Sequence, residues 1–131
     1  MKFLLLLYGD ETKWAEASPE EVQRIMDAYE VFSREVVDAG AFVAGEGLDL
    51  TSAAKTLRVR DGQELLTDGP FAETREQLGG FYVLECKDID EALAWAAKIP
   101  DVAEGCVEVR PVMDYEAAGY EGAQSDRAEA G

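Results

Sequence analysis

Asp68, Glu73 and Arg75 lie within one short stretch, TDGPFAETREQLGGFYVLE, residues 67–85, around an apolar Gly69-Pro70-Phe71. A carboxylate at a strand end beside an aromatic ring is partly stripped of water. Its pKa rises, and it can give or take a proton at neutral pH. Asp68 next to Phe71 fits that description. Arg75 offers a planar fork that orients an anionic or enolate-like group by paired hydrogen bonds. Glu73 either shares the proton transfer or pairs with Arg75. Tyr8, Glu108 and Arg110 fall on segments of strand character that can line the same cleft. Asp68 and Glu73 are therefore candidate catalytic residues. Tyr8, Gly69, Pro70, Phe71, Arg75, Glu108 and Arg110 are candidate binding residues. The chemistry open to such a set is cofactor-independent proton transfer, elimination or isomerisation. The same stretch also reads as architecture alone. Phe71 then plugs the core, Pro70 restricts Gly69, and Gly79-Gly80 lets the backbone bend or approach another backbone. Residue types leave both readings standing, and with them whether the chain is an enzyme.

Composition removes other chemistries. The 131 residues carry 28 acids against 12 bases, a net charge of −16, and no histidine. Such a field repels phosphate backbones and anionic membrane surfaces, so nucleic-acid and membrane partners are not expected. Without imidazole the chain has no Ser-His-Asp or Cys-His site and no His metal ligand. No ligand loop of recognised spacing gathers the carboxylates, so no metal and no cofactor is expected. Gly45-Glu46-Gly47 lacks the Lys and Ser/Thr of a phosphate loop. Cys86 and Cys106 are too few for a disulfide framework and read as small buried apolar residues. The apolar run Phe3–Tyr8 is shorter than a signal-peptide core, and no run approaches a membrane span, so a cytoplasmic location is expected.

The elements that must position these residues follow from periodicity. FLLLLY, 3–8, and GFYVLEC, 80–86, are apolar on both faces, as central strands of a covered sheet are. Ser18-Pro19-Glu20-Glu21 opens a helix with a capping box, and Val22, Ile25, Met26, Tyr29, Phe32 and Val36 continue it as one apolar stripe. Gly40 stops it, giving a helix over 19–39. DETKWAEAS, 10–18, reads as a loop. AFVAGEGL, 41–48, is a strand interrupted by glycine. KTLRVR, 55–60, and QELLTD, 63–68, flank Asp61-Gly62 and form a hairpin. Asp88 caps a second helix that runs to Pro100, and CVEVRPV, 106–112, is the last strand. Trp14 and Trp95 read as packing residues. The domain then spans 1–113, and 114–131 is an acidic tail expected to be disordered.

The order β-α-β, hairpin, β-α-β is the split βαβ, ferredoxin-like arrangement, an α+β fold with the first and third core strands central. Cys86 and Cys106 then sit on strands flanking the first one, about 9–10 Å apart and beyond disulfide reach. Two helices cover only one sheet face. The other still presents large side chains, so a second copy is expected over it, giving a homodimer in which two sheets form a barrel.

DGPFAETREQLGGFYVLE, with LRVRDG before it and DIDEALAWAAKIP and VEVRPV after it, resembles the DGPF branch of the YCII-related family over about residues 1–113. The resemblance implies a dimeric α+β barrel of bacterial origin. It implies a mostly uncharacterised function, with some relatives being small-molecule enzymes built on a His-Asp pair that this chain lacks. It also implies an association with extracytoplasmic-function sigma factors. Two functions therefore stand side by side: a small-molecule binder or carboxylate acid–base enzyme of lyase or isomerase type, and a non-enzymatic regulatory module with a sigma-factor-linked protein partner.

Overall fold

The computed structural model describes residues 1–100 and 102–120. The two segments that are apolar on both faces form β1 (Lys2–Gly9) and β5 (Gln77–Glu85) and pair antiparallel in the middle of the main sheet. The flanking strands are β2 (Phe42–Gly47), on the far side of β5, and β6 (Cys106–Pro111), on the far side of β1. The sheet order β2-β5-β1-β6 is the ferredoxin-like α+β arrangement expected from the order of elements. Strands β3 (Lys55–Arg60) and β4 (Gln63–Asp68) form a separate two-stranded ribbon. Asp61 and Gly62 take φ of 52° and 76°, the primed turn that Asp-Gly favours.

Helix α2 (Pro19–Asp38) begins where the sequence predicts, with the Glu21 N–H donating to Ser18 Oγ at 3.1 Å. It ends one residue short of the expected 39, with Gly40 at φ 73°. Helix α3 (Ile89–Ala96) is capped by Asp88, whose carboxylate accepts from the Glu91 N–H at 2.9 Å. It stops short of Pro100 because Ala97 to Ile99 close a tighter turn, with the Ile99 N–H donating to Ala96 O. Residues 10–18, expected as a loop, contain a short helix α1 (Glu11–Glu16), capped by Asp10. Six residues are too few to show an apolar period, which is why the helix was not legible.

Helices α2 and α3 cover one face of the sheet. Phe3 and Leu5 of β1 and Tyr82 and Leu84 of β5 point into that layer, against Phe32, Val36, Ala92 and Ala96. Phe3, Leu5, Leu84 and Val36 are sealed from water, and each contributes about 1.5–3 kcal/mol by burial. Phe32 anchors the layer by edge contacts to Tyr82 at 5.3 Å and Trp95 at 6.3 Å between ring centres. On the opposite sheet face Leu4, Leu6, Phe81 and Val83 lie only half-buried.

The cysteines diverge from expectation in one respect. Cys86 is buried, but Cys106 is exposed, because it opens edge strand β6 opposite Tyr8. Both are free thiols. Asp114–Tyr120 folds into a hydrogen-bonded turn, with Tyr115 and Tyr120 in edge contact at 6.1 Å. The rest of the expected tail, 121–131, lies outside the described residues. Among the described residues, no helix is long and apolar enough to cross a membrane.

Candidate functional site

The helix-facing side of the sheet changes character along its length. At one end it carries Phe3, Leu5, Leu84 and Tyr82. At the other, the same face continues through Leu7, Gly80 and Gly47, which the strand registers place side by side, while Gly45 lies opposite Tyr82 and against its ring. Glycine there leaves nothing to meet the first half of α2. The consequence is visible on the helix: Met26 is 51% exposed and Ile25 only half-buried, although the sequence puts both in the apolar stripe. The unfilled space is a cleft of about 1040 Å³ between α1, α2 and the glycine end of the sheet.

Two of these glycines have different steric reasons. A side chain at Gly80 would meet the Glu46 carbonyl at 3.0 Å, so close strand approach requires glycine there. A side chain at Gly47 would meet nothing within 4 Å, so glycine there serves the open space. The bulge between Leu7 and Tyr8, opposite Gly79, interrupts the regular pairing at the mouth before Tyr8 and Gly9 pair with Leu78 and Gln77.

The walls are aromatic and hydroxyl-bearing. Tyr82 and Ser33 share a hydrogen bond of 3.1 Å at the inner end. The Tyr29 hydroxyl donates to Pro100 O at 3.1 Å. Tyr8, Phe42 and the 42% exposed Trp14 complete the aromatic lining. Among the described residues the charged lining is one-sided: nine carboxylates, among them Glu11, Glu16, Glu21, Glu46 and Asp49, against the single cation Lys13.

The mouth is held by a relay that sequence reasoning missed. The Glu11 N–H donates to Gln77 Oε1 at 3.0 Å, and Gln77 Nε2 donates to Thr74 O at 2.6 Å. The Glu11 carboxylate accepts from the Thr51 N–H at 2.9 Å and from the Thr51 hydroxyl. Glu11 thereby ties α1 to the 3₁₀ turn Thr51–Ala53, and Gln77 ties α1 to the loop that follows β4. Asp10 caps α1. Hydrogen bonds from the Thr12 hydroxyl and then the Thr12 N–H hold its carboxyl below the usual carboxylate range. The one available signal was Asp10-Glu11-Thr12, a capping residue followed by an acidic first turn.

Of the residues expected to act, Tyr8 lines the main cleft. Gly69, Pro70 and Glu73 line a smaller hollow of about 350 Å³, bounded by Thr51, Ser52, Thr74 and Gln77. Gln77 borders both spaces. Asp68, Phe71, Arg75, Glu108 and Arg110 line neither. The environment expected for Asp68 is absent in a single chain. Its side chain is 84% exposed and pairs with Lys55 Nζ at 2.6 Å. Phe71 plugs no core, being 80% exposed. The cause is topological: β4 belongs to the free ribbon, not to the main sheet, so its end stands in water. Among the described residues Glu73 and Arg75 form no ion pair, while Glu108 and Arg110 pair with each other. Gly69, at φ 99°, adopts the left-handed backbone expected of it. Among the described residues no group of three or more Cys, Asp or Glu side chains is placed to hold a metal ion.

A family model for the YCII-related domain matches residues 1–116. An uncharacterised protein of Rhizobium meliloti (strain 1021) is 40% identical over 117 residues, covering 88% of this chain and 94% of that protein.

Proposed function

The chain belongs to the YCII-related domain family, and within it we propose that this member binds a neutral or cationic small organic molecule in the cleft between α1, α2 and the glycine end of the sheet. The observation that carries the reading is the cleft itself. Its volume of about 1040 Å³ is at the upper end of small-molecule sites. Apolar and aromatic walls supply the burial, and the hydroxyls of Tyr82, Ser33 and Tyr29 supply direction.

Charge narrows the ligand class. Nine carboxylates around one lysine repel an anion and attract a cation, and aromatic faces add cation–π attraction. The anionic substrate expected from Arg75 has no counterpart in this cleft, because Arg75 does not reach it. Glu11 is committed to Thr51 and acts as a positioning group for the mouth. The expected carboxylate chemistry of Asp68 and Glu73 needs surroundings that one chain does not provide, so binding is the reading the geometry supports best.

The test is a thermal-shift series with matched aromatic molecules: phenethylamine, phenylethanol and phenylacetate, extended to larger skeletons. Cationic and neutral members are expected to raise the melting temperature, and anionic members of the same size to leave it unchanged. Gly47→Phe, placed where an added Cβ meets nothing within 4 Å, is expected to abolish the shifts by filling the open floor. Stabilisation by the anions alone, or equal shifts in Gly47→Phe, would contradict the assignment.

A further inference from the structure

The Tyr82 ring is fixed on several sides. Gly45 lies against it: a Cβ there would come within 2.7 Å of Tyr82 Cδ1 and 3.0 Å of Cε1, so only glycine lets the ring lie on β2. Phe32 and Phe42 meet it in edge contacts, at 5.3 Å and 6.5 Å between ring centres. The residue is only 8% exposed, yet with Ser33 of α2 it lines the inner end of the cleft. The two hydroxyl oxygens lie 3.1 Å apart, and among the described residues neither has another hydrogen-bond partner. Two hydroxyls carry two protons, and their mutual bond uses one. Whichever oxygen donates in that bond, the other keeps a proton to give into the cleft.

Resting on the reading of this cleft as a small-molecule site, we propose that the Tyr82–Ser33 pair is its specificity element and donates a hydrogen bond to an oxygen on the ligand's ring. The ligand class then narrows from any neutral or cationic aromatic molecule to one that bears a ring hydroxyl or ether oxygen. Three observations carry this. First, the donor is preorganised. Gly45, Phe32 and Phe42 hold the ring and Ser33 holds its hydroxyl, so binding orders little that is not ordered already. Second, the surroundings are aromatic. A donor left unanswered there is costly once a ligand displaces the water, so a ring carrying only a methyl group at that point is rejected. Third, the other polar groups near the pair do not compete for the oxygen. The Tyr29 hydroxyl, on the same helix, spends its proton on Pro100 O. The ionised carboxylates of the lining have no proton to give and attract the nitrogen of an amine instead.

Calorimetric titration of the full chain with two amines of matched size, tyramine and para-methylphenethylamine, tests this. The wild type is expected to bind tyramine about 10-fold more tightly. Tyr82→Phe keeps the ring and removes its hydroxyl. It is expected to erase that preference by weakening tyramine while leaving the methyl compound as in wild type. Equal affinities in the wild type, or a preference undiminished in Tyr82→Phe, would overturn the proposal. If Tyr82→Phe loses its fold, the wild type alone decides through para-methoxyphenethylamine and para-ethylphenethylamine. The methoxy oxygen only accepts, so a donating pair is expected to prefer it about 10-fold over the ethyl group. Equal affinity for those two would overturn the donor. The cleft reading fails separately. Equal binding of tyramine and its methyl analogue, abolished in Gly47→Phe, overturns the specificity element and leaves the cleft as a binding site. Binding of neither amine overturns both.

Discussion

Gly105 shows how little freedom single positions have. A side chain there would come within 2.1 Å of the Tyr8 carbonyl and 3.2 Å of the Gly9 Cα. Both are backbone atoms at the end of a central strand, so neither can swing aside. Gly105→Ala is expected to cost about 1–3 kcal/mol, read as a lower denaturant midpoint at unchanged slope. An unchanged midpoint would mean that β1 and β6 do not approach so closely. Cys86 allows a second test. Burial first, and the nearby Glu91 carboxylate next, push its thiol up, so it has little thiolate at neutral pH. It is expected to escape alkylation in the native protein and to react once denaturant opens the core. Labelling of Cys86 at native rates equal to Cys106 would contradict its placement. The candidate site was legible only in part for a related reason. Tyr8 could be placed because its strand was certain. Asp68 and Phe71 could not, because neighbours in sequence do not reveal that β4 pairs with β3 alone.

Strands and helices were legible where their patterns are long. The double-sided apolar runs of β1 and β5 and the capping box of α2 follow from side-chain periodicity, and the Asp-Gly turn fixes the ribbon register. Helix α1 was hidden by its length, and the cleft by the fact that it is made of missing side chains. A strand interrupted by Gly45 and Gly47 reads as weak, and only the pairing of Gly47 with Gly80 turns the gap into a floor. Because α1 forms the mouth, its cap should matter to binding. Asp10 is charged more readily in the folded chain than in the unfolded one. Its contribution is therefore complete above about pH 4 and is lost as pH falls through the lowered folded value. Acid titration is expected to fray α1 in that range, reported by Trp14 emission, and Asp10→Asn to remove that transition. For α2, Ser18→Ala removes the acceptor for the Glu21 N–H and is expected to cost about 1 kcal/mol.

Taken whole, the molecule is an acidic body with a one-sided helix layer, an internal vacancy on the covered face and an apolar surface on the other. These features give the two faces different characters: a lined cleft beneath α2, and an apolar surface on the open sheet. Net charge links them. If two chains of −16 associate, raising salt should tighten the dimer as repulsion is screened, and weaken the binding of a cation in the cleft. Trp14 fluorescence separates the cleft from every other surface. In Trp95→Phe protein, Trp14 is the sole tryptophan and stands at the mouth. Titration with the cationic aromatic amine of greatest thermal shift is expected to change its emission saturably, at one molecule per chain, with the response lost in Gly47→Phe. A response that fails to saturate, or one that persists unchanged when Gly47 is filled, would contradict a ligand site between α1, α2 and the sheet.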